Sequence, residues 1–268
     1  VAVPLLQAVA ELPTEALDQA LAHLQAAECL TEIHLVPDLT YTFKHVLLQE
    51  AAYQSLLRST RQQLHRHIAQ VLERQFPETG GTQPELLAQH YTEAGQPAQA
   101  IPYWQRAGQR ALERSAPTEA ISHLTHGLAL LTTLAETPEG VQHEVVLQTT
   151  LGSALIATRG YAAPEVEHAY ARAHALCQQL GETPQLFTAL RGLWVLKEAQ
   201  AELQTARELG EHLLALAHRL HDTALRVEAH RALGNSLFWL GAFAPAHAHL
   251  EQAMALYDPQ HHRTLAVL

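Results

Sequence analysis

Lysine is almost missing from this 268-residue chain: only Lys44 and Lys197 occur, beside one methionine, Met254, and two cysteines, Cys29 and Cys177. With 17 Lys+Arg against 27 Asp+Glu, the net charge is −10 when histidines are neutral. A polyanion or an acidic membrane would meet a repulsive field, so broad nucleic-acid or membrane binding is disfavoured. Two distant cysteines supply neither a metal-ligand pair nor a disulfide framework, and no run of 18 apolar residues is present to cross a bilayer. The expected setting is a reducing cytoplasm. Aromatic residues make up only 6% of the chain, whereas 45 alanines and 46 leucines account for 91 of the 268 residues. Strong helix formers therefore dominate, and the fold class is mainly α. The chain opens on Val1 with no charged leader region and closes on HHRTLAVL, an apolar run without a helix cap. That pattern predicts a fragment or processed chain that stops just after another helix begins.

Two grammars follow one another. Residues 1–76 mix helix and strand signals. TEALDQALAHLQAAECL starts on Thr14, a suitable N-cap, and places Leu17, Leu21, Leu24 and Ala27 on one helical face. TEIHLV and LTYTFKH read as two short strands around Val36-Pro37-Asp38-Leu39, where Pro37 and Asp38 suit a turn. HVLLQEAAYQSLL and TRQQLHRHIAQVLERQF return to helical period, the second with Leu64, Ile68, Val71 and Leu72 beside Arg61, His65 and His67. Helix, hairpin and helix make the outline of a partial winged-helix module. Residues 77–83 hold Pro77, Gly80 and Gly81 in a polar setting and are the expected linker.

From 84 to 268 strand signals vanish. Helices are expected at 84–94, 97–114, 117–134, 140–158, 163–180, 184–199, 202–220, 223–240 and 243–257, with Gly or Pro at most breaks. This is the pattern of an α-solenoid of antiparallel hairpins, truncated at its C-terminal end. Tetratricopeptide repeats (TPRs) place small residues at positions 8, 20 and 27 and large ones at 11 and 24, because facing helices approach closely only past small side chains. Ala88, Tyr91, Ala100, Trp104 and Ala107 meet those offsets, as do Gly234, Leu237, Ala246, Leu250 and Ala253. Looser copies hold Gly152, Leu155, Tyr170 and Ala173, and Gly192, Val195, Ala206 and Leu213. Gly152, Gly192 and Gly234 are 40 and 42 residues apart, so the helices are lengthened TPR-like ones. Segment 117–134, with Ala120, Leu124 and Gly127, breaks strict alternation and has no assigned phase.

Catalytic signals are missing. Lys44 and Lys197 stand away from any glycine loop, no GxGxxG or GxSxG occurs, and both cysteines sit in apolar helical sequence. No enzyme activity, metal or cofactor is expected of these residues. Among 19 histidines the close sets are His65/His67, His218/His221, His247/His249 and His261/His262; only His218/His221 has helical ligand spacing, without a third ligand nearby. Solvated helix faces account for them, though their number makes net charge change steeply between about pH 7 and 5.5. The TEALDQALAHLQAAECL helix carries Glu15, Asp18 and Glu28 and no lysine or arginine, which argues against its entering a DNA groove.

The run YTFKHVLLQEAAYQSLLRSTRQQLHRHIAQVLE, followed by PELLAQHYTEAGQPAQAIPYWQRAGQRALERSAPTEAISHLTHGLALL, closely resembles the region after the ATPase core of bacterial signal-transduction ATPases with numerous domains. The nearest likeness is to ATPases fused to adenylate or guanylate cyclase domains. It continues through RGYAAPEVEHAYARAHALCQQLGE and LGAFAPAHAHLEQAMALYDPQHHRTLAVL. The resemblance implies a parent with an effector, an ATP/ADP-binding switch, a winged helix and a repeat array that senses a partner. The cyclase and the phosphate-binding loop would lie upstream. Relatives carry a Met-His-Asp motif whose histidine reaches the β-phosphate of ADP; Lys44-His45-Val46 stands at a similar strand-to-helix junction, which makes His45 the candidate sensor, with lysine and valine departing from the motif.

The expected function is therefore non-catalytic regulation: a repeat array that binds a protein or peptide, and a winged helix that relays to the nucleotide-binding domain of the same polypeptide. Tyr91, Trp104, Trp194 and Trp239 are large enough to anchor a ligand, although aromatic residues in such repeats also fill the hairpin seam. Two alternatives are the repeat region of a maltose-regulator type transcriptional activator, whose basic DNA-binding helix-turn-helix would lie elsewhere, and a plain TPR scaffold.

Overall fold

The computed structural model describes residues 1–35 and 38–260. Val36 and Pro37 of the expected turn lie outside the described residues, as does HHRTLAVL, where a further helix is expected. Two compact units are present, Val1–Tyr103 and Trp104–Leu268, and the boundary falls inside a helix.

The first unit begins with α1 (Val3–Ala10) and α2 (Thr14–Ala26), followed by β1 (Leu30–Leu35) and β2 (Asp38–Phe43). The strands pair antiparallel from Leu30 opposite Phe43 to Leu35 opposite Asp38, and Ala2 adds an antiparallel bridge to Thr40. The Tyr41 amide donates to the Val1 carbonyl at 2.9 Å, which ties the first residues to the hairpin. Helix α1 is absent from the sequence reading. Of the face expected on α2, only Leu17 and Leu21 are buried; Leu24 is exposed, and after the helix ends at Ala26, Glu28 turns the chain with a φ of 56°. Helices α3 (Val46–Ser55) and α4 (Arg58–Gln75) follow, and α4 buries Ala69, Val71 and Leu72 while leaving Leu64 exposed. Residues 77–83, expected as a linker, instead carry α5 (Pro77–Thr82), and the compact units part later, at 103/104. Helix α6 (Pro84–Glu93) completes this unit with the first turns of α7 (Pro97–Glu113).

The second unit contains the rest of α7 and then α8 (Pro117–Leu131), α9 (Pro138–Arg159), α10 (Pro164–Leu180), α11 (Pro184–Ala199), α12 (Leu203–Arg219), α13 (Thr223–Trp239) and α14 (Phe243–Leu256). Its helices sit where the sequence places them. Pro at the first helical position starts α8, α9, α10 and α11, where a missing N–H costs nothing. Tight turns close several of the hairpins: Gly95 and Gly241 adopt φ of 69° and 77°, and the next amide donates back five residues, from Gln96 to Tyr91 and from Ala242 to Leu237.

Contact between neighbouring helices runs through the glycines. A Cβ on Gly152 would stand 2.6 Å from the Tyr170 ring, and one on Gly192 would stand 2.1 Å from the other edge of that ring. Tyr170 of α10 is thus clasped between α9 of its own hairpin and α11 of the next, at 4% exposure. Gly210 of α12 approaches Leu233 of α13, and Gly234 of α13 approaches Leu250 of α14. Unphased α8 resolves the same way. Gly108 of α7 meets its Leu124, and its own Gly127 meets Leu147 of α9, so α8 packs between these two helices. The class is mainly α, with TPR-like hairpins.

Candidate protein-binding surface

Helices α9, α11 and α13 are the first helices of three successive hairpins and lie side by side. Each starts at a side chain that caps it. The hydroxyl of Thr137 accepts from the Gly140 amide at 3.1 Å, that of Thr183 from Leu186 at 3.3 Å, and the carboxylate of Asp222 from Leu225 at 3.1 Å. Such caps satisfy amides that would otherwise have no intrahelical partner, and each contributes about 1 kcal/mol.

Between α11 and α13 the contact is polar and specific. The Arg191 guanidinium reaches the buried Glu228 carboxylate at 3.1 Å, and Arg231 reaches it at 2.9 Å. Burial pushes the Glu228 carboxyl upward, but hydrogen bonding to Arg231 and the charges of both arginines outweigh it and hold the group below the ordinary carboxylate range. Arg231 also lies over the Trp194 ring, 5.5 Å from its centre, and the Trp194 indole N–H donates to the Ser236 hydroxyl at 2.8 Å. One turn on, the Asn235 amide donates to both oxygens of Glu198 at 2.9 and 3.0 Å. Burial raises the Glu198 carboxyl, opposed by that amide and by Arg231. Arg231 keeps 43% of its side chain exposed, so this ordered seam also presents charge outward.

The sequence-predicted anchors divide. Tyr91 is buried, with its hydroxyl on Glu73 at 2.7 Å, and Tyr103 donates to the other Glu73 oxygen at 2.5 Å. Burial first, then the Glu73 bond and charge, raise the Tyr91 hydroxyl strongly. Trp104 is buried against the stacked ring of His126, and Trp194 is fixed by Ser236. These three fill seams. Trp239 alone stays open, 60% exposed, edge-on to Phe238. His45 is exposed and caps α3 through its backbone: its carbonyl accepts from Leu48 at 3.0 Å and from Gln49 at 3.4 Å, while its ring makes no capping bond.

A cleft of about 380 Å³ lies between the end of α8, α9 and α10, with Leu128, Leu131, Val141 and Leu176 on its walls. Glu144 and Arg172, joined at 2.7 and 3.1 Å, stand at its edge. Among the described residues no group of three or more His, Cys, Asp or Glu is placed to hold a metal ion. No helix of the described residues is long and apolar enough to cross a membrane.

Sequence reasoning missed two histidine pairs, because their members are 25 and 19 residues apart and meet only across packed helices. His65 and His90 share an Nδ1–Nδ1 hydrogen bond of 2.8 Å, with the Tyr53 hydroxyl 3.0 Å from His65 Nε2; His230 and His249 repeat the arrangement at 3.0 Å. Burial, and then the neighbouring His65, hold His90 down at about 4; burial also lowers His65, opposed by Glu93 and assisted by Arg61. The folded state therefore binds fewer protons than the unfolded state between pH 6.5 and about 4, and stability is lost as pH falls through that window. After allowance for solvent screening the loss is about 2 kcal/mol. Urea melts at pH 7 and pH 4.5 check this, and His90→Gln should flatten the difference.

No family model matches the chain. An uncharacterized protein of Rhizobium meliloti (strain 1021) is 25% identical over 261 residues, covering 96% of this chain and 25% of that protein. The chain thus spans about a quarter of the length of the curated relative it matches. Among solved structures it is similar to BtubC (BKLC) from P. vanneervenii, with a TM-score of 0.59 and 14% identity over 79% of this chain and 87% of that one. It is also similar to a Podosopora anserina kinesin light chain structure of nearly identical TPR-like repeats, with a TM-score of 0.52 and 18% identity over 75% of this chain and 96% of that one. Both likenesses concern the fold, and they support the TPR-like helical class.

Proposed function

We propose that these residues form a non-catalytic, protein-binding part of a signal-transduction ATPase of the cyclase-linked type. The repeats sense a polypeptide partner through the face built by α9, α11 and α13. The α1–α4 module, read as a partial winged helix, relays occupancy to a nucleotide-binding domain of the same polypeptide, in the cytoplasm. One observation carries the relay: α3 buries none of its residues, and Val46 and Leu47, which follow His45 directly, are 65 and 72% exposed. An apolar patch of this kind marks a contact surface. A relative about four times as long leaves room for such a domain.

In this reading His45 meets the β-phosphate of ADP and holds the closed state. Partner binding shifts the population toward the open state only by the ratio of its affinities for the two states. The test is ADP release from the longer protein that carries the nucleotide-binding domain. His45→Ala and Leu47→Glu should each speed release by about tenfold, equivalent to about 1.4 kcal/mol. Unchanged release from folded variants would reduce the function to that of a plain TPR scaffold.

A further inference from the structure

We infer that the facing Nδ1 atoms of His65 and His90 form a two-nitrogen site for a divalent transition-metal ion of the nickel or copper type, which clamps α4 to α6. Helical periodicity makes the two rings meet. His65 stands four and seven residues before buried Ala69 and Leu72, and His90 stands three after buried Leu87 and four before buried Ala94, so each ring lies on the core-facing stripe of its helix. Both histidines are half-buried. Metal–nitrogen bonds of about 2.0 Å at right angles, the angle of square-planar and tetragonal sites, hold two nitrogens roughly 2.8 Å apart. The Nδ1 atoms of His65 and His90 are 2.8 Å apart. Tetrahedral zinc needs roughly 3.3 Å and fits less well. With the ring centres 5.0 Å apart, a tilt of each ring turns both lone pairs onto one ion.

The outer nitrogen supplies a second, independent observation. The Tyr53 hydroxyl of α3 lies 3.0 Å from His65 Nε2. A ligating histidine bonds through its other ring nitrogen in this manner, which fixes the tautomer and the ring orientation. When the ion enters, the proton shared by the two Nδ1 atoms is replaced and reappears on Nε2, so both rings stay neutral and His65 donates its Nε2–H to the Tyr53 oxygen. Burial lowers both imidazoles, His90 to about 4, so neither is protonated at pH 7 and both can ligate. Glu93 of α6 offsets the positive charge that Arg61 of α4 brings to His65. A cleft of about 300 Å³ beside the pair, lined by Tyr53, Arg61, Gln62, Thr92 and Glu93, admits water to the remaining coordination positions. His230 and His249 face each other similarly at 3.0 Å, but neither has a bond on its outer nitrogen among the described residues, and His218 and Arg226 add positive charge there. The first pair is therefore the better site. It stands whether or not the ATPase relay holds.

The probe is nickel chloride, titrated calorimetrically at pH 7 into the 268-residue chain carrying His249→Gln, which removes the second histidine pair. His65→Gln and His90→Gln should each weaken binding by more than about tenfold, and Tyr53→Phe, which keeps both ligands, by about tenfold. His218→Gln, which breaks the other helically spaced pair, should leave binding unchanged. Nickel should also raise the urea midpoint of the parent chain but not that of His90→Gln. Circular dichroism checks that the variants keep their helices. In the parent chain, whose ligands are intact, nickel should broaden the His65 and His90 ring resonances before those of the other histidines. Absence of nickel binding, binding indifferent to both His65→Gln and His90→Gln, or broadening that starts at other histidines overturns the inference and leaves the pair as a hydrogen bond between two helices.

Discussion

Gly192→Ala is expected to destabilise the second unit by about 2 kcal/mol, although alanine is the better helix former. The propensity gain is about 1 kcal/mol. Against it stands a Cβ placed 2.1 Å from the Tyr170 ring, which is 4% exposed and already touches Gly152 on its far side. The ring cannot retreat without pressing on α9, and overpacking of this kind costs about 3 kcal/mol. Thermal unfolding should fall by roughly 4–8 °C for a unit of this size. Tyr170→Leu, introduced with Gly192→Ala, should recover part of the loss, because a shorter side chain vacates the space. Gly81→Ala is the control: nothing lies within 4 Å of its Cβ position, and it should leave stability unchanged or slightly higher.

Glu228→Ala is expected to cost about 3 kcal/mol, the size seen when one partner of a buried ion pair is removed. The loss comes less from the missing attraction than from leaving the Arg191 guanidinium, 19% exposed, without its carboxylate in a seam that excludes water. Arg231 loses the same partner, and its position over Trp194 loosens with it. Since the Glu228 carboxyl is held below its ordinary value of 4.5, its contribution is present above that pH and disappears as pH falls through the lowered folded value. Chemical denaturation at pH 7 should therefore separate Glu228→Ala from the unsubstituted chain widely, and the gap should narrow as the pH is taken progressively below 4.5. Replacing Arg191 and Glu228 together by methionine should cost less than Glu228→Ala alone.

Helix positions were legible from residues with direct backbone consequences. Proline can open a helix but not continue one, and Thr137, Thr183 and Asp222 are capping types, so all nine helices from α6 onward stand close to their expected places. Gly152, Gly192 and Gly234 revealed the hairpin period because close approach needs a residue without a side chain, whatever the rest of the repeat. Other features escaped for physical reasons. The α8 segment meets α7 through Leu124 and α9 through Gly127, so one repeat phase could not describe it. Helix α1 is only eight residues long, and an isolated pattern of that length has little periodicity to read. The seam of Arg191, Glu228, Trp194 and Ser236 joins residues 37 and 42 apart, and nothing local distinguishes those side chains from ordinary surface ones. For the same reason Trp194 could be offered as an anchor while its residue type favoured seam packing, and it is Ser236 accepting its N–H that places it in the seam.

These hairpins stand by leaning on their neighbours through small residues. Amide hydrogen exchange of the Gly192→Ala chain, resolved helix by helix, tests it most directly. Protection should fall most in α10 and α11, by roughly 30-fold for 2 kcal/mol, and progressively less toward α14. Unchanged protection in α10 and α11, or an equal loss in every helix from α8 to α14, would contradict the account.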